Sequence, residues 1–260
     1  MKIATSKDSK ITVGVKKDYE DFSLTDNERT IAVGEKHDCN VAVAGYCNAI
    51  SSIGKQTQIS VAGNGTVLDA NADGSATSIA GDLADLSIRG TYTRTAVAGD
   101  DGRVRISGES SRAAICLYDA IINVSGDNNR LVISDPDIIS IEGNGNKIII
   151  VGDSPYIICD GDHNIVTSLG VNATFIGTSG NYISLANYDE NGNFVGYVTG
   201  CIGRGGIKEN VRYCVNNGKF IKAFRGAGTI IQKPAEKQLV NPPSKQMELI
   251  LPSEPLEALE

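Results

Sequence analysis

The chain has 260 residues, with 31 Asp and Glu against 24 Lys and Arg, so its net charge of −7 excludes the clustered basic excess of a general nucleic-acid binder. Tryptophan is absent, aromatic residues make up 5% and glycines number 29, which suits thin, layered β-structure and argues against a bulky α/β enzyme core. No stretch approaches the ~20 apolar residues that cross a bilayer. The N-terminal MKIATSKDSK lacks a signal-peptide run, and six cysteines without CxxC spacing read as free thiols, so a cytoplasmic location is expected.

Residues 1–30 are the expected N-terminal cap. From Ile31 a repeat sets in: glycine stands at 45, 54, 63, 81, 90, 99, 108 and 126, always nine apart or a multiple of nine, with Ala72 and Leu117 on the missing beats. The series then shortens by one residue to Gly143 and continues through Gly152, Gly161 and Gly170. Two and four positions before these glycines lie apolar columns, for example Val41 and Val43, Ile59 and Val61, Ile148 and Ile150. Alternation at period two predicts a short strand with both columns inward, followed by glycine and a polar turn. Odd and even units differ, since Ala-Gly recurs every eighteen residues at Ala44, Ala62, Ala80 and Ala98. The expected fold is therefore all-β, a parallel β-solenoid built as a two-sided roll with 18 residues per coil, spanning 31–187.

Outward columns carry the functional information, because inward positions are committed to packing. On the odd face they read Ala44, Ala62, Ala80, Ala98 and Cys116 in one column, and Ser60, Ser78, Ala96 and Ala114 in the next. This face is small and nearly uncharged, so a covering partner is expected: a second copy, the chain's own C-terminal segment or another protein. Arg94, Arg112, Arg130 and Lys147 form a ladder at a corner, with Glu109, Asp127 and Asp162 as candidate internal neutralisers. Asp82, Asp100 and Asp119 belong to an acidic stripe along the opposite corner.

Catalytic chemistry is not expected, and neither is a cofactor or metal. His37 and His163 fit no metal spacing and read as turn residues; the turns, from GKQTQ to GTYTR, vary too much for the regular cage of calcium-binding nonapeptide rolls. The glycine-rich CIGRGGIKEN at 201–210 lacks GK[ST] and reads as a turn between strands. Residues 188–226 change character, with hairpin turns at Asn191-Gly192 and Asn217-Gly218, and predict a small antiparallel β cap. The Pro- and Glu-rich 227–260, with its MELIL patch, predicts a flexible tail.

The run Thr95 to Gly102, then Gly206 to Lys208, Tyr213 and Asn217 to Phe220 resembles uncharacterised proteins of phages and prophage-bearing bacteria with TAxAGDxG-type repeats, over roughly residues 40–220. Relatives often place Trp before the tyrosine, where this chain has Arg212. The resemblance implies a solenoid, a phage or prophage context and thus a possible place in the virion; it carries no activity. Three functions stay open: a non-enzymatic protein-binding or self-associating solenoid, a phage-encoded inhibitor of a host nucleic-acid-processing or defence enzyme acting through the acidic stripe, and a carbohydrate-binding or carbohydrate-active solenoid. Neither membrane association nor direct nucleic-acid binding is expected.

Overall fold

The computed structural model describes residues 2–3, 12–15, 21–25, 27–28, 30–33, 38–71 and 73–223. The expected tail at 227–260 and His37 lie outside the described residues. Every regular element among those described is a β-strand, and they stack as a parallel β-solenoid of about nine turns.

Two strands form each coil and lie on opposite sides of a thin core. On the odd side Asn40–Ala44, Gln58–Ala62, Ala76–Ala80 and Arg94–Asp100 follow one another; on the even side Ala49–Ser52, Val67–Ala70, Asp85–Ile88 and Arg103–Ile106 do so. Each pairs in parallel with the strand one coil on, at a step of eighteen residues, as in Ala62↔Ala80 and Ile88↔Ile106. Strict alternation sends Ile59 and Val61 inward against the even side's Leu68 and Ala70, all four buried. Burying one such aliphatic side chain contributes ~1.5–3 kcal/mol, and each coil adds its own set to the continuous column.

The stack begins earlier than the glycine beat. Asp21–Thr25 pairs in parallel with Asn40–Ala44, and Thr12–Val15 with Thr30–Val33, so the described parts of residues 1–30 are further coils and not a separate cap. Their steps include nineteen residues, as in Phe22↔Val41, which breaks the nine-residue rhythm that makes later coils legible.

Three devices hold the corners. The first is direct backbone contact: a Cβ on Gly108 would lie 1.9 Å from the carbonyl oxygen of Gly90, and one on Gly126 1.9 Å from that of Gly108. Only glycine fits a column whose members touch through their main chains. The second is a left-handed residue in each turn, including Cys47, Gln56, Leu83 and Tyr92, with φ of 54–56°. An ordinary side chain costs ~1–2 kcal/mol in that conformation. The hydrogen bonds offset it, since Cys47 N–H donates to Asn64 O at 2.8 Å and Leu83 N–H to Asp100 O at 2.8 Å. The third is a buried polar column at the corner leading into the odd strands. Ser111 N–H donates to Asn129 Oδ1, Asn129 N–H to Asn146 Oδ1 and Asn146 N–H to Asn164 Oδ1, each at 2.8 Å. Asn164 N–H continues the chain to Asn181 Oδ1 at 3.0 Å. Each side-chain oxygen thus satisfies a backbone donor of the preceding coil, which burial would otherwise leave unpaired.

Two successive coils depart from the pattern. Arg112–Val124 and Arg130–Ile141 each run unbroken from the odd to the even side, and Leu117, where glycine is expected, is buried with its Cδ1 in the space a side chain at Gly102 would need. The register slips between Cys116 and Ile121, so the step falls from eighteen at Cys116↔Ser134 to seventeen at Ile121↔Ile138. That slip is the physical origin of the shortened glycine series.

At the C-terminal end both sides of the roll are closed by antiparallel strands, Phe194–Cys201 against Tyr182–Tyr188 and Tyr213–Asn216 against Thr174–Gly177. Asn217 and Gly218, at φ 48° and 72°, turn the last hairpin, whose second strand is Lys219–Lys222. Phe175, fully buried, stacks on Tyr213 at 5.6 Å and meets Phe220 edge-on at 5.3 Å, sealing the core. Arg212 lies 4.3 Å over the ring of Tyr156.

Two substitutions test these devices by thermal and denaturant unfolding. Gly108→Ala is expected to destabilise by roughly 1–3 kcal/mol or more, the range of an overpacked site, whereas exposed Ser107→Ala stays within about 0.5 kcal/mol. Asn164→Ala removes the acceptor for Asn146 N–H and the donor to Gly143 O at 2.8 Å, and is expected to cost about 1–3 kcal/mol.

Candidate functional site

The pleat that buries Val97 and Ile115 turns their neighbours outward, so the odd face is built by the same alternation as the core. Ala44, Ala62, Ala80, Ala98 and Cys116 stand in register, as do Ser60, Ser78, Ala96 and Ala114. All are exposed except Ala44, which is half-buried. Further along the same columns the side chains enlarge: Val132, Ile149 and Val151 remain 47%, 45% and 41% exposed. The columns together leave a contiguous apolar face in water, an uncommon feature of a solvated sheet.

The basic ladder belongs to this face. Arg94, Arg112, Arg130 and Lys147 are the first outward residues of successive odd strands, exposed and paired in register. Their stems wall a shallow trough of ≈ 740 Å³, and Ser60, Ser78, Ala96 and Ala114 lie along it. Sequence spacing places them at a corner, because it does not show that the odd strands start at the arginine. The expected internal neutralisation is not what the structure shows: among the described residues none of the four makes an ion pair, and Asp127 and Asp162 serve their turns instead. Asp127 Oδ1 accepts from Asn144 N–H at 2.6 Å, and Asp162 pairs with His163, a left-handed turn residue, at 2.9 Å. On the even face Arg89 is paired across coils by Asp69 and Arg105 by Asp85, whereas Arg103 makes no ion pair among the described residues.

The acidic stripe resolves into two columns. Asp82 and Asp100 share one with Asn64 and Tyr118, whereas Asp101 and Asp119 sit at the left-handed position, with φ of 54° and 49°. Asp100 N–H donates to Asp82 Oδ1 at 3.0 Å, and Asp82 N–H to Asn64 Oδ1 at 3.0 Å. Asp82 thus bonds the main chain of the next coil. Asp73 does the same for Thr91, and those hydrogen bonds hold its carboxyl below the usual range.

Among the described residues no three His, Cys, Asp or Glu side chains converge as a metal would require, and no helix is long and apolar enough to cross a membrane. No disulfide joins the six cysteines: Cys47 and Cys116 are exposed, while burial pushes the Cys159 thiol up to about 12. The segment Cys201–Asn210 is a turn, as expected, opening at Gly205 and Gly206 beside a pocket of ≈ 390 Å³ that includes Arg204 and Lys219.

No protein-family model, curated protein or solved structure matches this chain. The face itself therefore carries the functional argument.

Thiol labelling at about pH 8 gives a direct check on this geometry, because the thiolate is the reactive form. Cys47 is expected to react in the folded protein at the rate of an exposed thiol, and Cys159 only after unfolding. Rapid native-state modification of Cys159 would contradict the described core.

Proposed function

We propose that the chain is a non-enzymatic solenoid that binds protein through its odd face, the partner being its own copy or a component of a phage or its host. The observation that carries this reading is the contrast between its two faces. The even face is mostly polar, with Arg89 and Arg105 paired and Val67 and Ile138 its exposed aliphatics, while the odd face sets Val132, Ile149, Val151 and a four-residue basic row without ion pairs among the described residues over a floor of Ala and Ser. Small outward side chains let a second surface come close, and the stacked backbone beneath holds the face rigid, which lowers the entropy lost on association. The phage or prophage context rests on the repeat resemblance and supplies the setting in which partners would be sought.

The test is affinity capture from the native host with wild-type protein, with Ala80→Arg and Ala98→Arg combined, and with Ser87→Arg on the even face as a control. The expected outcome is a specific partner, or untagged copies of the chain, retained by wild type and Ser87→Arg and lost by the combined variant. Equal recovery with all three proteins would refute a role for the odd face.

A further inference from the structure

We infer that the occupant of the odd face is a second copy of this chain, packed face to face about a two-fold axis parallel to the solenoid axis; the inference rests on the function proposed above. The odd face is polarised in charge along its strands. In Arg94–Asp100 the outward residues run Arg94, Ala96, Ala98, Asp100. Basic residues start four of the seven odd strands, at Arg94, Arg112, Arg130 and Lys147, and Asp82, Asp100 and Asp153 stand at or just beyond the ends of three, about 20 Å away at ~3.3 Å per residue. The coil containing Lys147–Val151 repeats the arrangement, with Lys147 at its start and exposed Asp153 just beyond its end.

Two symmetric ways of joining such faces differ in sign. A half-turn about the strand direction lays the basic row over the basic row of the second copy. A half-turn about the solenoid axis exchanges the two ends of every strand, so basic edges meet acidic ones. Like-charge juxtaposition disfavours the first arrangement and leaves the second. Because that axis moves nothing along the stack, each coil faces its own copy. Arg94 then opposes Asp100 of the second copy, Lys147 opposes Asp153, and Arg112 lies over the exposed ring of Tyr118.

Steric fit agrees with the charges. Within each coil the two central outward residues exchange places across the axis, setting Ala96 against Ala98 and the bulkier Val132 against Ser134 of the second copy. Size is equally favourable. From Asn40–Ala44 to Lys147–Val151 the face comprises seven strands. At ~4.8 Å per strand and about 20 Å of width they offer roughly 700 Å² per copy, or about 1,400 Å² in all, inside the range of specific interfaces. The contact is isologous and closes at two copies.

The experiment is light scattering on the full chain across a concentration series, with circular dichroism confirming that each variant is folded. Wild type is expected to show twice the 27.4 kDa chain mass, and Ala98→Arg a monomer. The charges supply the discriminating cycle. Arg94→Asp and Asp100→Arg each set like charges together at two symmetric points and are expected to weaken association by about tenfold or more. The double variant exchanges the signs and is expected to recover most of that loss. A wild-type monomer throughout, a dimer indifferent to Ala98→Arg, or a double variant no better than the singles would each overturn the inference. A monomer whose captured partner is still lost with the face variants sinks the two-fold dimer and leaves the protein-binding function standing; a monomer that captures nothing sinks both.

Discussion

Everything in this molecule follows from one constraint: the equivalent residues of successive coils lie directly above one another, one interstrand spacing apart. The parallel ladder enforces it, since pairs such as Ala62↔Ala80 and Ala80↔Ala98 fix both the step and the face on which each side chain emerges. A one-residue slip would turn the Val61 and Ile79 columns into water and draw Ala62 and Ala80 into the core. Changes of step fall at turns, as with the seventeen at Ile165↔Tyr182, or where the chain gives up its corner, as between Cys116 and Ile121. There two unbroken strands and a buried Leu117 replace the glycine turn, and the ladder resumes with one residue fewer.

Stacking also makes every column a cooperative object. A glycine at 108 is required because of Gly90 below it, and in turn requires Gly126 above. The Asn129, Asn146, Asn164 and Asn181 amides work the same way, each side-chain oxygen accepting from the main chain of the coil before. Stability is then a sum over neighbouring coils, as in other solenoids. A defect in one coil is felt by the two it touches.

Much of this was legible in the sequence, for reasons that show where legibility stops. The glycine series and the alternating Val, Ile and Leu columns expose the coil length because both are inward or main-chain constraints, which restrict residue type. The left-handed turn position does not restrict it: Cys47, Gln56, Leu83 and Tyr92 share a conformation and nothing else, since their energy is repaid by backbone hydrogen bonds that ignore the side chain. The buried column Ser111, Asn129, Asn146, Asn164 was visible as a spacing of eighteen or seventeen, yet such residues read as polar turn until their burial is known. The basic ladder was found at the right residues and assigned to a corner, because a strand beginning with an exposed arginine leaves no apolar mark at its first position. The strands before Thr30 lie outside the legible repeat because steps such as nineteen at Phe22↔Val41 break the rhythm.

The same constraint that builds the core creates the electrostatic problem on the odd face. A solenoid cannot repeat an arginine without stacking it on the next, so Arg94, Arg112, Arg130 and Lys147 repel along the ladder. The even face shows that this sequence can neutralise such a row from within, by setting Asp69 and Asp85 one coil away from Arg89 and Arg105. Among the described residues no carboxylate does so on the odd face: Asp127 and Asp162, in the turns beside the row, bond their own corners, and Asp100 stands at the far end of its strand. Antiparallel strands cover the parallel strands at the C-terminal end of the stack, which leaves fewer open edges there for further strand addition. Among the described residues the row keeps its four charges without an ion pair, so each stacked arginine adds repulsion that the even face relieves for Arg89 and Arg105.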